Sequence, residues 1–137
     1  RRKAAQCTGS RGLSYGKGKI MDAITLEKMA VTAFEKLATS RTALFGSTEG
    51  AIEAKAELET AKYQALVGGV IDGKNAEIRE AQLRTHLEAN YAKLDTAERT
   101  ERAGRHQYDQ ASIEVDTLKT LLRIAELTDF SSNEPNR

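Results

Sequence analysis

The ten residues "ERTERAGRHQ", Glu98 to Gln107, hold almost no apolar side chain, and whether a helix passes through them sets the architecture of the whole chain. On both sides of them a 3,4 repeat stays in phase. Leu83, Leu87, Asn90, Leu94, Ala97, Glu101, Gly104, Tyr108, Ala111, Val115, Leu118, Leu122 and Ala125 follow one another without a skip. A loop at Gly104 would normally reset that phase, whereas a glycine inside a helix costs only about 1 kcal/mol. The spacing therefore predicts one helix over 75–127, a rod of about 80 Å at 1.5 Å per residue with coiled-coil character. The alternative is a break at Gly104 that folds Tyr108 to Leu127 back into a four-helix bundle.

Upstream of this helix lies "GGVIDGKN", Gly68 to Asn75, whose Gly68, Gly73 and Lys74 have the spacing of a phosphate-binding loop. A loop of the form G-x-x-x-x-G-K-S/T needs a strand before it, amides that cradle phosphate, and a hydroxyl that ligates magnesium. Asn75 stands where that hydroxyl belongs, and an alanine-rich segment precedes the loop. The stretch is read as a bend: Gly68 and Gly69 loosen the end of one helix, Asp72 and Gly73 turn, and Asp72 or Asn75 caps the next helix. No cofactor is expected.

Two shorter helices are predicted before the bend. The first, over 25–45, starts at "ITLEKM" with Thr25 as cap and Ile24 stapled on Met29, and carries Leu26, Met29, Ala30, Ala33, Phe34, Leu37, Ala38 and Leu44 along one side. "FGSTEG" is expected to end it, with Gly46 in the left-handed position and Ser47 capping a second helix over 48–67. That helix has a stripe of small residues, Ala51, Ala54, Leu58, Ala61 and Ala65.

Composition agrees with an all-α chain, in which an antiparallel helical hairpin or bundle is joined to a long C-terminal coiled-coil helix. Of 137 residues, 39% are hydrophobic, only 5% are aromatic and 30% are charged, with a single proline, so the core must be thin and rich in Ala and Leu. No apolar run approaches the ~20 residues of a membrane span. Cys7 is the one cysteine; it excludes an internal disulfide and permits a reducing, cytoplasmic setting.

Charge divides sharply along the chain. Residues 1–20 carry Arg1, Arg2, Lys3, Arg11, Lys17 and Lys19 and no acid, so the remainder has 15 basic against 20 acidic groups (21 − 6 = 15). Two readings stay open for this segment: a disordered basic arm that touches nucleic acid or an anionic membrane, or an upstream region read in frame, with Met21 as the start. The tail 131–137, "SSNEPNR", reads as frayed.

"VIDGKNAEIREAQL", Val70 to Leu83, followed by a charged helix and "LLRIAEL", resembles short helical proteins encoded in bacterial and phage genomes. The resemblance implies a phage or mobile-element setting and no residue role.

Chemistry-bearing residues are sparse. His86 and His106 are twenty residues apart with no second histidine at i±3 or i±4, and a single carboxylate, Asp109 three residues after His106, has that spacing, so no metal or catalytic site is expected. Arg99, Arg102, Arg105 and His106 form a short basic strip suited to phosphate, but Glu98 and Glu101 interleave, and ion pairs within the helix account for it. The function expected is that of a non-enzymatic interaction protein acting through self-association, as a dimer, or through a helical partner. The interface is placed on Tyr108, Val115, Leu118 and Leu122, which are expected to project beyond the shorter helices. A DNA-binding accessory role in recombination or replication, using the basic strip, is the alternative.

Overall fold

The computed structural model describes residues 23–132, with side chains over 24–128. The arm over 1–20, Met21 and residues 133–137 lie outside the described residues. Three helices follow one another: α1 (Ala23–Val67), α2 (Ala76–His86) and α3 (Glu88–Ser132). Helix α1 packs antiparallel on α3, so the chain is an all-α helical hairpin, with the 68–75 loop and α2 at its closed end.

The expected break at "FGSTEG" does not occur. α1 runs through it as 45 continuous residues, Gly46 has no left-handed backbone, and the Ser47 hydroxyl donates back to the Leu44 carbonyl at 2.9 Å instead of capping a new helix. Thr25 likewise sits inside the helix. The reason is phase: Leu26, Ala30, Ala33, Leu37, Ser40, Leu44, Ser47, Ala51, Ala54, Leu58, Ala61 and Ala65 alternate steps of four and three, and every one is buried or half-buried. A loop at Gly46 would take one half of this line off its partner, a larger loss than the ~1 kcal/mol each of two helical glycines. A Cβ added at Gly46 or Gly50 would meet nothing within 4 Å. Gly46→Ala and Gly50→Ala are therefore expected to raise stability by about 0.5–1 kcal/mol each in a thermal or urea melt. If Gly46 were in a left-handed turn, the first change would lower it.

Gly104 shows the same logic on α3, where the helix passes through "ERTERAGRHQ" unbroken and the four-helix alternative is excluded. Gly104 is where α3 lies close to α1, since a Cβ there would come to 3.0 Å from Ser47 Oγ and 3.6 Å from Leu44 Cα. The predicted helix over 75–127 does bend elsewhere. Leu87, at φ −109° and ψ 26°, separates α2 from α3, although the bonds from Leu87 N to the Leu83 carbonyl (2.8 Å) and from Tyr91 N to the Leu87 carbonyl (3.0 Å) carry the ladder across. No glycine or proline marks the spot. What accompanies the bend is burial: Leu83 and Leu87 join Leu58 and Ala65 in one cluster, with Ile71, Tyr91 and Leu94 packed against it.

Register is specified by two inter-helix ion pairs of opposite polarity. Lys36 Nζ meets Glu114 Oε1 at 2.6 Å near the open end, and Lys93 Nζ meets Glu57 Oε2 at 2.5 Å near the closed end. These residues lie three heptads apart on each helix, 36 to 57 and 93 to 114, at the flanking g positions. Being about half exposed, the pairs add little stability. A heptad slip, however, would leave every one of these charges unpaired or facing an uncharged residue. Hydrogen bonding to Glu57 pushes the Lys93 ammonium above its ordinary pKa.

Candidate interaction surface

The four residues expected to form an exposed interface are part of the hairpin seam. Val115 is buried and Tyr108, Leu118 and Leu122 are half-buried, with Val115, Leu118 and Leu122 grouped beside Ala30, Ala33 and Phe34 of α1. Helix lengths explain the difference: α1 and α3 are 45 residues each, so the stretch of α3 from Tyr108 to Leu122 runs level with α1 and not past a shorter partner. The repeat from Leu83 to Ala125 found its partner within the same chain.

A different surface takes their place. Ile24, Val31, Ala38, Phe45 and Ile52 recur every seven residues on α1, at the b positions, and Phe34 stands between them at an e position. The large side chains of this outer stripe are between 52% and 68% exposed. Two of the chain's three phenylalanines thus stand in solvent on a line with the same period as the seam. A helix with apolar residues only at a and d is satisfied by one neighbour, whereas a second line at b and e suits another helix packed along its flank. On the same side of the hairpin, α3 presents Asp109, Asp116, Lys119 and Arg123, all exposed.

The hairpin's other side carries a shallow groove of about 630 Å³ near the open end, lined by Met29, Ala33, Ile113, Leu118 and Leu121, with Lys36 and Glu114 at its edge. The apolar material here is shorter in extent than the α1 stripe and is interrupted by Thr32 and Thr117.

The phosphate-loop resemblance at Gly68–Asn75 dissolves in hydrogen bonds. Gly69, at φ +72°, is the left-handed residue of a Schellman ending: Gly69 N bonds the Leu66 carbonyl (3.3 Å) and Val70 N the Ala65 carbonyl (3.2 Å). Gly73 N donates to Gln82 Oε1 (3.0 Å) while Gln82 Nε2 donates to Asp72 Oδ1 (2.8 Å). Asn75, one of the two expected caps, accepts from Ile78 N at 2.8 Å. The Gly73 amide that would face a phosphate is held by the chain itself, in a loop that is tied down rather than a free hinge.

The basic strip is largely internal to α3 in its charge balance. Arg99 pairs with Asp95 at 2.8 Å and Arg105 with Glu101 at 3.1 Å, while Arg102 and His106 are exposed. Glu101 also accepts from the Thr48 hydroxyl of α1 at 3.4 Å, which turns its carboxylate toward the seam. His86 is exposed at the end of α2, far from His106.

One polar cluster was not foreseen. Tyr91 lies between Lys62 (5.3 Å from the ring centroid) and Arg84 (5.6 Å), and its hydroxyl donates to Glu80 Oε1 at 3.2 Å. Glu80 and Tyr91 thereby span the bend at Leu87, and the two cations cover the ring. Lys62 is held above its ordinary pKa, first by its hydrogen bond to Glu59. A nucleophilic lysine needs the reverse. Among the described residues no group of three or more His, Cys, Asp or Glu side chains converges as a metal site would require, and no helix is long and apolar enough to cross a membrane. Comparison of the chain with protein-family models, curated proteins and solved structures found no match.

Proposed function

We propose that the protein is a non-enzymatic helical interaction module, whose hairpin displays the outer face of α1 to another helix. The observation that carries this reading is the second heptad-spaced apolar line, Ile24, Val31, Phe34, Phe45 and Ile52. Burying one such side chain is worth about 1.5–3 kcal/mol relative to leaving it in water, and a run of this length is more than a monomer ordinarily exposes in one strip. The thin seam supports the same view, because five of its ten buried apolar residues are alanines. A photo-crosslinking residue at Phe45, compared with one at Glu98 on the polar side of α3, tests the reading in extracts of the source cell. Crosslinks from Phe45 to peptides of helical segments, absent from Glu98, are the expected result. Equal labelling from both positions, or none from Phe45, overturns it.

The alternative of a DNA-binding accessory protein has less behind it, since two of the three arginines in the strip are already paired with neighbouring carboxylates.

A further inference from the structure

Resting on that reading, we propose that the occupant of the α1 outer stripe is a second copy of this chain, packed antiparallel about a two-fold axis with Phe34 of each protomer against Phe45 of its partner.

The centre of the stripe is self-complementary under this operation, while its ends set Ile24 and Ile52 against the stems of the partner's Lys55 and Glu27. Setting Phe34 level with Phe45 of the partner places the axis between Thr39 and Ser40 and brings Val31 level with the partner's Thr48, Ala38 with its Arg41, and Ile52 with its Glu27. Each layer then pairs a b position with an e position, the alternation by which antiparallel helices interdigitate. The two phenylalanine pairs flank a central layer made narrow by Ala38, over which the aliphatic stem of Arg41 can lie with its guanidinium at the edge.

Charge favours the antiparallel direction. In it Lys28 falls within one helical turn of the partner's Glu49, Glu27 within one turn of its Lys55, and Arg41 within one turn of its Glu35, each contact made twice by symmetry; these outnumber the like-charge approaches at similar offset, Arg41 to its own copy and Glu27 to the partner's Glu49. A parallel pairing would set every one of these charges against its own copy, a repulsive arrangement. Extent is also sufficient. Ile24 to Ile52 covers 28 residues, about 42 Å of helix, and a contact two helices wide buries on the order of 800 Å² per protomer, the size of an ordinary stable interface. The product is a four-helix bundle in which the α1 helices form the inner contact and the Met29–Leu121 groove remains outside.

Sedimentation equilibrium on the full chain tests the assembly. Wild type is expected at twice the chain mass. Phe34→Asp and Phe45→Asp, each checked for intact helical circular dichroism because Phe34 also borders Val115, Leu118 and Leu122, are expected to weaken the dimer more than about 100-fold. Ile113→Asp with Leu121→Asp, in the groove, is expected to leave it unchanged. In a Cys7→Ser background, Phe34→Cys and Phe45→Cys combined in one chain will give a covalent dimer under mild oxidation, and either change alone will not. Monomeric wild type at about 100 μM overturns the second copy as occupant, and crosslinks from Phe45 to another protein would then leave the interaction reading standing. A dimer lost in the groove variant and kept in the phenylalanine variants overturns the surface. Covalent dimers from the single-cysteine variants overturn the antiparallel arrangement.

Discussion

Leu58→Ala will lower the free energy of unfolding by about 2–4 kcal/mol, and Leu58→Asp will leave no cooperatively folded hairpin at room temperature. Leu58 is 2% exposed and sits where α1 meets Leu83 and Leu87, the place on the seam where three large aliphatic side chains converge. Toward the middle of the hairpin the seam is mostly small or polar, with Ser40, Ser47, Ala51 and Ala54 on α1 and Ala97, Glu101 and Gly104 on α3, so few nearby contacts can take over its share. Truncation removes the transfer free energy of the side chain and leaves space that two helices can only partly close. Aspartate adds the desolvation of a carboxylate with no cation directed at that point. Val67→Ala, on an exposed position one helical end away, should change stability by less than about 0.5 kcal/mol. Urea melts followed by circular dichroism, at one fixed protomer concentration so that association does not shift the midpoint, make the comparison. A Leu58→Ala cost below about 1 kcal/mol would mean that the closed-end cluster is not the core of this chain.

The all-α class and the passage of α3 through "ERTERAGRHQ" were legible in the sequence because heptad phase is a long-range signal that local composition does not erase. The same argument, applied evenly, would have joined the two N-terminal segments. Ser40, Leu44 and Ser47 keep the step of four and three between Leu37 and Ala51, but two of them are serines, and the string "FGSTEG" looks like a Schellman end followed by a cap. Local turn chemistry and phase point in opposite directions here. The physical outcome follows phase, since a seam of twelve positions outweighs two glycines.

That one misreading carried the interface with it. With α1 cut into two, α3 overhangs and its seam reads as a free surface. With α1 whole, Tyr108, Val115, Leu118 and Leu122 are covered, and the exposed apolar line runs along a flank of α1, about 100° round the helix from the seam. Over 25–45 alone, Phe34 and Ala38 fall with the first helix's inner face; only an uninterrupted heptad frame separates them from Ala33 and Leu37 and aligns them with Phe45 and Ile52. The bend at Leu87 had no such signal, because neither glycine nor proline marks it and the cluster that accompanies it joins residues distant in sequence.

Distances along α1 provide the largest structural contrast. Spin labels at Lys28 and Gln64, both exposed, are expected to lie about 54 Å apart, since 36 residues of unbroken helix rise 1.5 Å each. A chain that turned back at "FGSTEG" would bring them within about 10–20 Å, the spacing of packed neighbours. A second pair, at Lys28 and Arg123, reads the hairpin itself: Lys36 meets Glu114, so eight residues further toward the open end Lys28 lies level with Leu122, and the labels should be separated by only one interhelical distance plus their tethers. If α3 instead overhung a short α1, Arg123 would stand far from Lys28 and this pair would be long. Diluting the doubly labelled protein into an excess of unlabelled chain keeps both measurements within one protomer, so dimer formation does not enter. A long first distance with a short second one is compatible only with two full-length helices running side by side. A short first distance would return "FGSTEG" to a turn and break the frame that aligns Phe34 with Phe45, and with it the outer stripe on which the interaction surface depends.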